Sequence, residues 1–161
     1  MKTRQATVTY SQLYLRILDQ FPNPVWRSGL DGKCDFFNKA WLDFTGRTLE
    51  QEMGEGWATG AHPRDLDAIV EEYYKKFSAR ENFILEYRLK HKDNSYHWIL
   101  DYGNPFFGDD GGFLGYIGSC YDINEQKNYI KSIEQLNKVM VCRELRMVDL
   151  KEELAKLKAS K

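Results

Sequence analysis

The sequence lacks the features of a membrane or secreted protein. No apolar run approaches the roughly 20 residues that cross a bilayer, and Met1–Gln5 do not begin the apolar segment of a Sec-type signal peptide. The three cysteines, Cys34, Cys120 and Cys142, are odd in number and too widely spaced for a disulfide framework. We therefore expect a cytoplasmic domain with free thiols and no membrane contact.

An excess of charge of one sign is also lacking. The formal net charge is −1 and the isoelectric point is near 6.3, so no overall field attracts nucleic acid or an anionic membrane. The basic residues near the C-terminus are interspersed with glutamates and cover no single face. We expect no nucleic-acid partner.

Catalytic motifs are absent as well. The sequence has no Gly-x-Ser-x-Gly, phosphate-binding loop, His-Glu-x-x-His or Cys-x-x-Cys pattern. Of its three histidines, His62 precedes Pro63 at a predicted helix start, where a structural role is expected. His91 and His97 flank a predicted turn and can approach across it, but one such pair makes a poor metal site. We predict no catalytic residue and no metal ligand in this chain.

The length and composition of the chain are those of one folded domain followed by a tail. The chain has 161 residues, of which 42% are hydrophobic and 14% aromatic, so it can bury a core. All 12 glycines and all 4 prolines precede residue 124. Residues 124–161 carry nine Lys/Arg against six Asp/Glu and no Trp or Phe. This shift in composition indicates a compact body followed by a helical tail.

The spacing of apolar residues predicts several helices in the first half of the body. An amphipathic helix runs up to Phe21, with Thr9 as its cap and Pro22 as its stop. A small hairpin turns at Asp31-Gly32 and leads to a helix that Asn38 caps. Two further helices are predicted, one at Thr48–Gln51 and one that starts after His62-Pro63 and carries Leu66, Ile69, Val70, Tyr73 and Phe77 on one face.

After Arg80 the apolar period changes from 3.6 to 2. Phe83, Leu85, Tyr87 and Leu89 alternate with polar or exposed positions, which predicts a strand with one apolar face. Two more strands follow, at 96–101 and 113–123, separated by turns rich in Gly, Asp and Asn. The body is therefore predicted to be α+β with an antiparallel sheet.

The tail has the heptad pattern of a coiled coil. With Ile133 at position a, eight of ten a and d positions over five heptads are apolar. We predict a dimer seam formed by Ile133, Leu136, Met140, Met147, Leu150, Leu154 and Leu157. Arg143 occupies a d position, where a charge lowers stability and makes the register switchable, or where its long side chain reaches solvent. The two alternatives for the tail are a parallel homodimer and folding back on its own domain.

Several sequence blocks in the body resemble a PAS domain. The first half is similar at Phe21–Trp26, Gly32–Trp41, Phe44–Gly46 and His62–Asp65, and the second half at Tyr87–Leu89, Trp98-Ile99 and Gly115–Asn124. The resemblance runs from about residue 17 to residue 127. It implies a five-stranded antiparallel sheet flanked by short helices, used as a sensory or dimerisation module. The chain then divides into an N-terminal amphipathic helix (1–21), a PAS domain (22–123) and a C-terminal signalling helix (124–161).

The same resemblance implies where signals leave the sheet. The family usually ends in Asp-Ile-Thr, and this chain has Asp122-Ile123-Asn124, where Asn also caps helices well. Asp122 and Asn124 are the expected signal-coupling junction. A ligand held as in some PAS relatives would be lined by Trp57, Tyr73, Phe77, Tyr87, Trp98, Gly118 and Ser119.

The resemblance to PAS domains also indicates which cofactors to expect. No histidine lies in the predicted helix from Leu66 to Phe77, where haem-binding relatives carry one, and no motif resembles that of the photoreactive cysteine of flavin-binding relatives. We expect neither haem nor flavin, and an unidentified small molecule is the remaining ligand class. Close helix packing would require the same small residues as a cavity, so a filled core is the alternative.

The resulting functional hypothesis is a cytoplasmic PAS module that detects a small molecule or a partner. It would form a homodimer through its N- and C-terminal helices and relay the signal through the coiled coil to an output domain of a sensor histidine kinase. The alternatives are a module of a diguanylate cyclase or phosphodiesterase, or a pure dimerisation relay without a ligand. No enzymatic activity is expected of this chain itself.

Overall fold

The computed structural model describes residues 10–159, apart from the side chains of Tyr10, Ser11 and Leu157. The helices are α1 (Tyr10–Asp19), α2 (Lys39–Thr45), α3 (Leu49–Glu52), α4 (Leu66–Ala79) and α5 (Asn124–Ala159), with a 3₁₀ helix at Gly56–Gly60. The strands are β1 (Val25–Ser28), β2 (Cys34–Phe37), β3 (Phe83–Lys90), β4 (Tyr96–Phe107) and β5 (Phe113–Asp122). The predicted cap Thr9 lies outside the described residues.

The five strands form one antiparallel sheet in the order β2-β1-β5-β4-β3. Strands β3, β4 and β5 follow one another as a meander, and β1 pairs with β5, so the first strand lies inside the sheet. In this register Trp26 lies opposite Gly118, and Asp101 lies opposite Cys120. The predicted α+β class and five-stranded antiparallel sheet are confirmed.

Strand β3 has the predicted apolar face, since Phe83, Tyr87 and Leu89 are buried. Strand β4 is longer than the predicted 96–101 and continues through Pro105 to Phe107. The last residue of β4 that pairs with β3 is Gly103. Pro105 therefore lies where β4 pairs only with β5, and a missing N–H is tolerated on a strand with one free side.

Asn38 joins three parts of the body. Its side-chain oxygen accepts hydrogen bonds from the backbone N–H groups of Trp41 (3.0 Å) and Val25 (2.9 Å), which caps α2 as predicted and anchors β1. Its amide nitrogen donates to the carbonyl oxygens of Leu18 (2.9 Å) and Asn23 (3.0 Å). One fully buried side chain thus ties the end of α1 to the body.

The core lies between the inner face of the sheet and the helices that precede β3. It is built mainly from aromatic and branched side chains, namely Trp26, Phe37, Trp41, Ile69, Tyr73, Phe83, Tyr87, Leu89, Ile99 and Tyr116. Packing of this kind is expected to supply most of the stability of a domain of this size.

The chain divides into two compact units that meet between Ile123 and Asn124. The second unit is the single helix α5, which is 36 residues long. Every side chain of α5 that the structure describes is partly or fully exposed. Among the described residues, no helix is long and apolar enough to cross a membrane.

Candidate functional site

A small internal cavity lies under the inner face of the sheet. Its lining is mainly aromatic and apolar and consists of Trp26, Cys34, Phe37, Trp41, Trp57, Ile69, Tyr73, Phe83, Leu85, Tyr87 and Asp101. Its volume is about 10 Å³, which is room for roughly one water molecule. In this conformation the core is therefore filled by protein.

A carboxyl group points into this lining from β4. Asp101 is only 5% exposed, and its two oxygens accept hydrogen bonds from Trp26 Nε1 (2.9 Å) and from the hydroxyl of Tyr87 (3.3 Å). Burial raises the pKa of Asp101 to about 6, although hydrogen bonds from Trp26, Cys120 and Tyr87 lower it. The group therefore changes its protonation state in the range just below neutral pH.

Two free thiols lie near this carboxyl group. Cys34 and Cys120 are both buried, and burial raises the pKa of each thiol, with the Asp101 carboxylate adding to the effect. A thiol that stays protonated is a weak nucleophile and metal ligand. These two cysteines behave as small apolar core residues.

The space above two glycines is taken by aromatic rings. A Cβ atom at Gly118 would lie 2.2 Å from the indole of Trp26, and one at Gly103 would lie 2.1 Å from the ring of Phe83. These two rings are stacked with their centroids 6.0 Å apart. The small residues of β4 and β5 thus allow close aromatic packing and leave no ligand space at these positions.

The residues predicted to line a ligand site do not all lie around the internal cavity. Trp57, Tyr73 and Tyr87 do line the internal cavity. Phe77 packs on Tyr116, with ring centroids 5.3 Å apart, and Trp98 lies under the guanidinium of Arg88. Their role in binding a ligand remains a prediction.

The remaining two, Gly118 and Ser119, line a separate groove of about 250 Å³. Gly118 lies below the Trp26 ring, whereas Ser119 is its neighbour on the strand and so belongs to the opposite face of the sheet. The other lining residues are Leu18, Phe21, Val25, Asn104, Ile117 and Tyr121. The predicted set therefore does not form one continuous site.

The end of β5 is held at the predicted junction. A carboxylate oxygen of Asp122 lies 2.7 Å from Nδ1 of His97, and the backbone N–H of Ile123 donates to the carbonyl of Trp98 (2.8 Å). Asn124 is the first residue of α5. The last residue of the sheet and the first residue of the long helix are thus separated by one residue.

His97 is also in contact with His91, as the sequence predicted for this hairpin. The two imidazole rings stack with their centroids 4.5 Å apart, and Phe44 contacts both rings edge-on at 5.0 and 5.7 Å. Two residues were not predicted from the sequence. They are Asp101, which contacts Trp26 and Tyr87, and Asp93, whose carboxylate lies 3.1 Å from Nδ1 of His91. Successive side chains of a strand point to opposite faces of the sheet, so Asp101 shares a face with Ile99, which is buried. This pattern on β4 could have indicated that Asp101 is buried as well.

Comparison with known proteins identifies the family. A model of the PAS fold matches residues 35–120, which is more than half of the chain. The chain belongs to the PAS family. A PAS domain is itself a non-catalytic module with sensory and signalling roles.

Relatives carry similar domains within longer proteins. The uncharacterised protein y4lL of Sinorhizobium fredii is 40% identical over 112 residues, which are 70% of this chain and 14% of y4lL. The peroxide stress-activated histidine kinase mak2 of Schizosaccharomyces pombe is 28% identical over 114 residues, which are 70% of this chain and 5% of mak2. The chain thus spans only a small part of the relatives that it matches.

Solved structures show the same fold. The PAS domain of a protein from Colwellia psychrerythraea superposes with a TM-score of 0.60 and 22% identity, and the match covers 73% of this chain and 99% of that domain.

Proposed function

We propose that this chain is a sensory and dimerisation PAS module that relays a signal through α5 to an output region of a sensor histidine kinase. The observation that carries the proposal is the exposed apolar seam of α5. A helix of 36 residues follows β5 after one residue and has no core of its own. A relay needs such a direct covalent connection between sheet and helix.

The seam requires a partner. Its described members are between 40% and 64% exposed, and they are Ile133, Leu136, Met140, Met147, Leu150 and Leu154. Exposed apolar residues at heptad spacing are unfavourable in water and are buried when two such helices pair. A second copy of the same helix supplies an identical seam, so a parallel homodimer is the proposed arrangement.

The first helix supports the same arrangement. Leu13, Tyr14 and Ile17 of α1 are each about half exposed or more. Asn38 fixes the end of this helix at Leu18, so its apolar surface is presented from a defined position. We propose that α1 contributes to the homodimer together with α5.

The junction supplies the element through which movement can pass. Asp122 is held by His97, and Ile123 is held by Trp98, both from β4. A shift of β4 or β5 would therefore change the position at which α5 starts. Two-stranded coiled coils have alternative crossing angles and registers of similar energy, and these form the two-state element of the proposed mechanism.

The nature of the signal and of the output is inferred from two further observations. The small cavity supports a relay that responds to a partner or to a neighbouring domain and does not hold a resident small molecule, haem or flavin. The similarity to mak2 supports a histidine kinase as the parent protein. A cytoplasmic location belongs to the same proposal and is consistent with the free thiols.

The proposal is tested by light scattering after size-exclusion chromatography of two matched variants. Leu136 and Leu145 are exposed to nearly the same extent, 64% and 62%, but only Leu136 lies at a seam position. We expect Leu136→Lys to convert the dimer to a monomer, since it places two charges in the seam. Leu145→Lys, at position f, should leave the dimer intact.

Two results would contradict the proposal. A monomeric wild-type chain would remove the coiled coil as its working surface. Dissociation by Leu145→Lys without dissociation by Leu136→Lys would place the helix contact on the stripe of Val141, Leu145 and Val148 and disprove the proposed seam. Circular dichroism of each variant reports whether the body has stayed folded.

A further inference from the structure

The hairpin between β3 and β4 gathers three side chains of metal-ligating type. One ligand atom from each of His91, Asp93 and His97 lies within 4.8 Å of the other two. Two imidazoles and a carboxylate form a donor set that suits zinc and similar transition metals and that does not suit magnesium or calcium, which prefer oxygen donors. This cluster is separate from the internal cavity and from the helix seam.

The hairpin holds Asp93 next to His91. The backbone N–H of His91 donates to the carbonyl of Ser95 (2.8 Å), and Asn94 adopts the left-handed conformation with φ 70°. The backbone N–H and the hydroxyl of Ser95 donate to Oδ1 of Asp93 at 2.8 and 2.6 Å. These bonds hold the pKa of Asp93 below its usual range, so the carboxylate is ionised and positioned.

The two imidazoles are oriented by their neighbours. Phe44 of α2 packs edge-on against both stacked rings, and the backbone N–H of Lys92 donates to the carbonyl of Phe44 (2.9 Å). Nδ1 of His91 is buried and lies 3.1 Å from Oδ1 of Asp93, so the two atoms face each other at close range. Two ligands of a tetrahedral zinc ion lie roughly 3.3 Å apart, so this nitrogen and this oxygen already have the spacing of two metal ligands.

Asp122 completes the arrangement from β5. Its carboxylate contacts Nδ1 of His97 at 2.7 Å, which leaves Nε2 of that ring as the nitrogen available to a metal. Metal-ligating histidines commonly use their second nitrogen in this way, because the carboxylate fixes the ring and raises the basicity of the ligand nitrogen. Asp122 is therefore a positioning residue for His97.

We propose that His91, Asp93 and His97 bind one divalent transition-metal ion of the zinc class, with Asp122 orienting His97. Tetrahedral zinc with bonds of about 2.0–2.1 Å separates its ligands by roughly 3.3 Å. Nδ1 of His91 and Oδ1 of Asp93 already lie 3.1 Å apart, and no pair of the three ligand atoms has to close by more than about 1.5 Å on binding. Rotation of the partly exposed rings and of the exposed Asp93 can provide this movement. The proposal does not depend on the proposed signal relay.

The test is a zinc titration of the whole, tag-free chain against a coloured chelator. A Cys142→Ser background removes the exposed thiol, which is a competing ligand. We expect one zinc ion per chain and a loss of affinity of roughly 100-fold or more for either His91→Gln or His97→Gln. Asp122→Asn should weaken binding by about 10- to 100-fold, as expected for a residue that positions a ligand.

His62 provides the matched control, since it is the third histidine and lies outside the cluster. His62→Gln should bind zinc as the background chain does, and cobalt bound to the background chain should show the intense visible spectrum of a low-coordinate site, lost in His97→Gln. Binding that is absent, or equally strong in His91→Gln, His97→Gln and His62→Gln, would overturn the proposal. Circular dichroism of the metal-free variants separates loss of ligands from loss of fold.

Discussion

The indole nitrogen of Trp26 on β1 donates a 2.9 Å hydrogen bond to the carboxylate of Asp101 on β4. The two strands are not neighbours, because β5 lies between them in the sheet. The bond is possible because Gly118, the residue of β5 opposite Trp26, has no side chain to separate the indole from the sheet. One buried polar contact thus joins β1 to β4 across β5, the strand that leads to α5.

The first prediction concerns the pH dependence of stability. The pKa of Asp101 is about 6 in the folded protein, against an ordinary value of 3.8. Because the folded value is raised, the contribution of Asp101 to stability is fully present below about pH 3.8 and is lost as the pH rises through about 6. Asp101→Asn does not titrate, so it should gain stability relative to wild type as the pH increases.

The quantity to measure is the difference in the free energy of unfolding between Asp101→Asn and wild type at two pH values. A pKa of about 6 in the folded protein against 3.8 ordinarily corresponds to on the order of 3 kcal/mol in the free energy of unfolding. Urea unfolding at about pH 4 and about pH 8 should show the free energy of unfolding of Asp101→Asn rising relative to wild type by an amount of this order. Asp109→Asn, in an exposed turn, is the control. A difference between Asp101→Asn and wild type that is the same at both pH values would contradict the assignment.

The second prediction concerns the packing of Trp26. Gly118→Ala would place a methyl group 2.2 Å from the indole, so the ring or the strand must move. We expect a loss of about 1–3 kcal/mol in the free energy of unfolding, typical of an overpacked core. Gly29→Ala is the matched control, since its nearest atom would lie at an ordinary 3.5 Å. Equal stability of the two variants in chemical denaturation would show that the space at Gly118 is free.

The third prediction concerns Arg143 at a d position of the seam. Replacement by leucine adds an apolar residue between Met140 and Met147 and removes two charges from the paired helices. We expect the dissociation constant of the dimer to fall by about tenfold or more in sedimentation equilibrium. Lys138→Leu, at the outward position f, should have little effect. If both substitutions tighten the dimer equally, Arg143 does not lie in the seam.

Much of the fold follows from local patterns. The alternation of Phe83, Tyr87 and Leu89 indicated β3 and its buried face, and Asn38 indicated the start of α2. The end of β4 could not be predicted in this way, because a proline normally ends a strand. Whether Pro105 is tolerated depends on which neighbouring strand extends beside it, and that is a property of the assembled sheet.

The candidate sites were less predictable because they depend on register. His97 and Asp122 are 25 positions apart in the sequence, and their contact exists only because β4 and β5 pair with Ile99 opposite Asp122. Gly118 shows the same dependence on register. The space above a glycine on a strand can be occupied by a ligand or by an aromatic ring of the protein. The pairing of β1 with β5 places the ring of Trp26 there.

Native mass spectrometry of the wild-type chain, in the presence of a metal chelator, tests at once whether α5 pairs with a second copy and whether the core is free of ligand. We expect a dimer, twice 18.9 kDa, without a bound small molecule, because the seam of α5 pairs and the core is filled. A monomer would contradict the coiled coil. A dimer that carries a reproducible adduct of organic mass would contradict the filled core and make this PAS domain a sensor of that molecule.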